Sequence, residues 1–201
     1  MSSLAPCGQG PWTRHILAVV TLERTQQPEA PGDDAREDSP DHGYAGALAW
    51  DGLPGIPASA GALVWDAEGR FLILAPTYKT GWTIPGGVME ADESPWEGCC
   101  REVFEETGIT VTQGRLLAVD TRPAKRTKAL GLRFLFDCGV VSAADIERIT
   151  VQEEEVHEYR FATPDEALPL LRPAVRRRVS AALAASACVY LEDGNPLDRV
   201  T

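Results

Sequence analysis

One segment, Ser94 to Gly108, carries its own start and stop signals, and it constrains the fold more than any other stretch. Ser94 precedes Pro95, and Glu97 stands three residues after Ser94. A serine cap with a carboxylate three positions on forms a capping box, and proline is favoured at the first helical position. Gly108 supplies a left-handed C-terminal cap. The spacing predicts a helix over Pro95–Thr107. At about 100° per residue, Trp96, Cys99, Cys100, Val103 and Phe104 share one face, which is expected to be buried. Glu102, Glu105 and Glu106 share the opposite face, with Gly98 one turn before Glu102. Like charges this close repel, and only Arg101 borders them. Two readings fit this face. It is a solvated acidic surface, or it offers hard oxygen ligands to Mg²⁺ or Mn²⁺, with Gly98 leaving room for a ligand.

The rest of the chain fits one domain with an extension. Of 201 residues, 44% are hydrophobic, enough for a core. The formal charge of −11 opposes a general nucleic-acid binder, which needs a basic surface. Five cysteines occur without a C-x-x-C pair, against a disulfide framework or structural zinc. Cys99 and Cys100 read as core packing. The three histidines have no metal-ligand spacing. A reducing, cytoplasmic setting is expected. The apolar run "ILAVV" is too short for a signal or membrane-spanning segment, so no membrane partner is expected.

Residues 1–57 read as an N-terminal extension, with a strand over 15–23 and a flexible, acidic, Pro-rich segment over 24–43. From residue 58 the signals sharpen. "ASAGALVWD" and "RFLILAP" flank the turn "AEG", and "GWTIPGG" is a short extended piece. "TVTQGRLLAVDTR", "ALGLRFLFDCGVV" and "EVHEYRFA" read as further strands. "TPDE" opens a helical segment, interrupted at Pro169 and Pro173, and "AVRRRVSAALAASA" continues as helix. "CVYLEDG" closes the domain as a last short strand, giving boundaries of 58–192 and a tail over 193–201. Strands surrounding a few helices indicate an α+β or mixed α/β layered architecture.

The flanks of the helix extend its pattern. Gly87, Glu93, Arg101, Glu102, Val103, Glu105, Glu106, Gly108 and Ile109 fill every defined position of G-x5-E-x7-R-E-U-x-E-E-x-G-U, where U is aliphatic. The sequence therefore resembles the Nudix hydrolase family, and "WTIPGG" before the box resembles it too. The resemblance implies an α/β/α sandwich with a mixed β-sheet. It implies divalent-metal hydrolysis of a diphosphate linkage, usually in a nucleoside diphosphate joined to another group. By position, Glu102, Glu105, Glu106 and the carbonyl of Gly86 are implied metal ligands. Arg101 and Glu93 are implied to orient them. Members often dimerise, so a homodimer is a further expectation.

Substrate selection is expected outside the box. A further acidic residue often comes from a later loop as ligand or general base. In "QEEEVHEYRF" the preferred candidate is Glu155, ahead of Glu154 and Glu158. Arg122, Lys125, Arg126 and Lys128 form a basic island for polyphosphate or an ordinary basic hairpin. Trp82 is a candidate for base stacking or a core residue. Arg172, Arg176, Arg177 and Arg178 form a second anion site, or a solvated or dimer-facing helix surface. An ADP-ribose-like substrate is preferred because of the basic hairpin and Pro123. Nucleoside triphosphates, a non-catalytic metabolite-sensing domain and a diphosphate isomerase are the alternatives.

Overall fold

The computed structural model describes residues 55–126 and 128–200. The expected strand over 15–23 and the Pro-rich segment over 24–43 lie outside the described residues.

Two strands are apolar on both faces and therefore sit at the centre. In β1 (Ala58–Trp65), Ala60, Ala62 and Val64 point to one side and Leu63 to the other. In β2 (Phe71–Pro76), Leu72 and Leu74 join the first side, and Phe71 and Ile73 the second. Continuous apolar strands of this kind need cover on both faces. The cover comes from α1 (Pro95–Thr107) on the first side. On the second it comes from α3 (Pro164–Leu170) and α4 (Pro173–Ala184), which contribute Ala167, Val179 and Ala182.

The sheet is mixed, as expected. The other strands are β3 (Gly86–Val88), β4 (Arg115–Arg122), β5 (Gly131–Val140), β6 (Val156–Ala162), β7 (Val189–Glu192) and β8 (Asn195–Pro196). The order is β6-β2-β1-β5-β4-β7-β8, with β3 paired to β1 off this path. The β1–β5 and β4–β7 pairs are parallel, and the others antiparallel. One edge of β1 is thus shared: Ser59–Gly61 pair with β3, and Trp65 pairs with Phe71 of β2. This fork at β1 places β3, and the loop into α1, over the middle of the sheet.

Several local readings need amendment. Pro169 does not interrupt α3 but sits inside it, and Pro173 begins α4. The four-residue helix α2 (Ala143–Ile146), capped by Ser142, has no counterpart among the expected elements. Asn195–Pro196, within the segment set aside as a tail, folds back on β7 as β8.

Candidate active site

The helix α1 has the ends its sequence dictates. The Ser94 hydroxyl accepts from the Glu97 N–H, the Glu97 carboxylate accepts from the Ser94 N–H, and Gly108 adopts φ 73°. Its buried face, which takes in Gly98 and Thr107, differs from the expectation most at Phe104 and Glu106. Phe104 is 57% exposed, whereas Glu106 is only 8% exposed. The helix packs on β3 as well as β1, which rolls the buried arc toward Glu106, beside Cys99 on the wheel. Gly98 is also buried, and the space above it is not free. A Cβ there would lie 2.7 Å from Glu93 Oε1 and 3.2 Å from Met89 Cγ. The β3–α1 loop, rather than a ligand, uses that gap.

Arg101 organises the carboxylates. Its Nε and Nη2 donate to the two Glu93 oxygens at 3.0 and 2.7 Å, a two-pronged contact. Nη1 donates to Glu102 at 3.0 Å and Glu105 at 2.9 Å, and Nη2 also reaches the Val88 carbonyl. The contact with Arg101 and the Glu90 N–H hold the Glu93 carboxyl below its ordinary range.

Among the described residues, Glu106 has no such cation. Its Oε2 accepts from the Gly86 N–H at 2.7 Å. Burial pushes its pKa up to about 8, and the charges of Glu102, Glu155 and Glu105 act in the same direction. Burial also raises the Glu102 carboxyl, against the pull of Arg101. Glu155 sits in the turn before β6, where its carbonyl accepts from the Thr77 N–H at 2.9 Å. Its charge acts on both Glu102 and Glu106. Glu158 instead faces Arg160 at 3.6 Å. Among the described residues, no three acidic, histidine or cysteine side chains already form an ion cage.

The adjoining glycines make two close approaches. Gly86 has φ 137°, and a side chain there would strike the Ala60 carbonyl and Gly61 Cα of β1. A side chain on Gly87 would meet the Glu102 carboxylate. The tight backbone expected to serve a metal or phosphate is thus used first by the protein itself.

Gly86 also borders a cavity of about 720 Å³. Arg122 and Lys125 line it, as the basic island suggested; Arg126 does not. Arg172, Arg177 and Arg178 join them from the start of α4, whereas Arg176 does not. Arg133 of β5 lines it too. Sequence reasoning missed this residue because it read β5 for its apolar content. Its signal was a lone cation two residues before the buried Leu135, on the same face of the strand. Trp82 lies elsewhere, lining a second cavity of about 340 Å³ with His157. Its ring packs on the core beneath the Arg160 guanidinium, 4.8 Å away.

The family model for the NUDIX domain matches residues 55–183. A "MutT-like protein" of Streptomyces ambofaciens is 34% identical over 108 residues, which is 54% of this chain and 64% of that one. "Phosphatase NudJ" of Escherichia coli K12 is 40% identical over 77 residues, 37% of this chain and 50% of that one. The chain thus spans half to just under two thirds of the curated relatives it matches. The crystal structure of a MutT protein from Methanosarcina mazei superposes with a TM-score of 0.56 at 27% identity, covering 66% of this chain and 96% of that one. The α/β/α sandwich, the family model and the register from Gly87 to Ile109 agree: the chain belongs to the Nudix family.

Proposed function

We propose that this protein hydrolyses a diphosphate linkage in a nucleoside diphosphate joined to another group, with a divalent ion, Mg²⁺ or Mn²⁺. Glu102, Glu105, Glu106 and the Gly86 carbonyl are the residues that would hold it. The observation that carries this reading is the state of Glu106. It is a buried carboxyl among like charges, and without a cation it retains its proton up to about pH 8. A divalent cation would relieve that cost, and the all-oxygen donor set suits a hard ion. When bound, such an ion polarises a phosphoryl oxygen and lowers the pKa of a bound water.

The chain's own groups do the rest. Arg101, anchored on Glu93, fixes the rotamers of Glu102 and Glu105. The Gly86 N–H orients Glu106. Glu155 is exposed, close enough for its charge to act on Glu106, and is the candidate to take a proton from the attacking water.

The test is Glu106→Gln, assayed with Mg²⁺ against a nucleotide panel whose products are identified by mass. The expected loss in kcat is about 10³-fold, within the range for a group acting at the reacting centre, with the folded state intact. Full turnover by a folded variant would remove Glu106 from the mechanism. ADP-ribose-like compounds are the expected substrates because part of the basic hairpin, Arg122 and Lys125, faces the cavity beside Gly86. Nucleoside triphosphates are the second reading, favoured by how many further cations that cavity gathers.

A further inference from the structure

Of the 19 lysines and arginines in this acidic chain, eight line the one cavity beside Gly86, against two carboxylates. Those carboxylates are already engaged. Asp120 holds Arg178 at 2.8 Å, and Asp193 holds Arg177 at 2.8 Å. The other six, Lys79, Arg122, Lys125, Lys128, Arg133 and Arg172, have no carboxylate within ion-pair distance among the described residues.

Three of the six are more than a solvated charge run. Arg122 and Arg133 converge over Gly131, where a Cβ would lie 3.1 Å from Arg133 Nη1 and 3.3 Å from Arg122 Nη2. Two guanidinium groups drawn this close repel unless an anion joins them. Burial and the charges of Arg122 and Arg178 push the Arg133 pKa down. Among the described residues, the Nε atoms of Arg122 and Arg172 are buried with no hydrogen-bond partner, an arrangement that costs free energy until an acceptor arrives. Arg172 is fixed in place, because its N–H donates to the Trp82 carbonyl at 2.9 Å. It also precedes the first turn of α4, where Pro173, Ala174 and Val175 border the same cavity. That turn has no acidic residue and no side-chain cap. Among the described residues that line the cavity, Phe134 alone is aromatic, whereas eight are cationic, a lining that suits an anion better than a nucleobase.

We infer that this cavity is an anion subsite for a phosphoryl group of the substrate other than the two joined by the scissile bond, held by Arg122, Arg133 and Arg172. The inference rests on the hydrolase reading for the word substrate, but the subsite can be tested without turnover. Within the ADP-ribose-like class it favours members that carry a third phosphoryl group over ADP-ribose itself. Triphosphates and nucleotide derivatives with an added phosphate monoester both satisfy it.

The probe is inorganic tripolyphosphate, titrated calorimetrically into the full-length protein stripped of metal with a chelator. Wild type is expected to bind it with a Kd below about 1 mM, tighter than monophosphate. Arg122→Met and Arg133→Met are each expected to weaken binding about tenfold or more. Arg148→Met, which removes an exposed charge paired with Asp145 away from the cavity, should leave it unchanged. Absence of binding to wild type overturns the inference without reference to any variant. So does equal binding by all three variants. Glu106→Gln should bind tripolyphosphate as wild type does. A chain that binds the anion but hydrolyses nothing would sink the hydrolase reading and leave the subsite standing.

Discussion

The glutamate face of α1 and the arginine cavity are built in opposite ways, although both touch Gly86. The first lies almost wholly within one helix, and its single guanidinium, Arg101, holds three carboxylates by direct hydrogen bonds. The second is assembled from β4, β5, the approach to β3 and α4, and six of its eight cations have no carboxylate partner among the described residues. Excess negative charge therefore faces excess positive charge across the backbone of one residue. A substrate with a metal-bound diphosphate at one end and a further anion at the other would neutralise both regions together.

The largest expected effect breaks the cavity at its most buried ion pair. Asp120 accepts from Arg178 and from the Gly194 N–H at 2.8 Å, and it is shielded from water. Asp120→Ala strands Arg178 beside Arg133 and unties the β7–β8 turn from β4. Removing one partner of a buried pair costs about 3–5 kcal/mol. Chemical denaturation should show that loss, whereas the exposed pair broken by Arg148→Met should cost under about 1 kcal/mol.

The same contrast explains what the sequence made legible. The ends of α1 were readable to the residue because Ser94, Pro95, Glu97 and Gly108 act within one turn of where they stand. The strands from Ala58 to Ala162 were readable because apolar runs bounded by turn residues are local too. The roll of α1 was read only in part: the wheel already sets Glu106 about 20° from Cys99, but its charge assigned it to the open face, while the outward turn of Phe104 depends on β3 packing beside the helix. Hence Phe104 was expected inside and Glu106 outside. The cavity was only half visible. Arg122 and Arg172 drew notice within basic clusters, but Arg133 acquires its meaning from Arg122 across a strand pair. The pairing of Asp120 with Arg178 spans 58 positions, beyond any local pattern.

A second comparison separates the paired glycines that link the two regions. Gly86→Ala places a Cβ against the backbone of β1 in a conformation that side chains rarely adopt. Strain and overpacking together should cost about 3 kcal/mol of stability. Gly87→Ala meets only the far end of the Glu102 side chain, which can swing away. Its stability should fall by less than about 1 kcal/mol, yet kcat should drop because Glu102 is displaced. Equal stability losses for the two variants would refute this division of roles.

The smallest effect tests the charge imbalance of the helix directly. In metal-free protein Glu106 keeps its proton up to about pH 8, whereas in the unfolded chain it releases it near its ordinary value of 4.5. A carboxyl raised in the folded state favours folding below its unfolded pKa, and that contribution is lost as pH rises through the folded one. Stability should therefore decline by about 2 kcal/mol between pH 6 and pH 8, then level off. Glu102, raised by burial as well, acts in the same sense. Glu93, Glu97 and Glu166 are lowered, so their contributions are lost only under acid conditions, outside this window. Glu106→Gln should flatten most of the decline in the metal-free protein. Saturating Mg²⁺ should do the same for wild type, because an ion on the ionised carboxylate replaces the proton. A decline that persists in Glu106→Gln would place the imbalance elsewhere and leave the buried carboxyl without the need for a cation that links it to the arginine cavity.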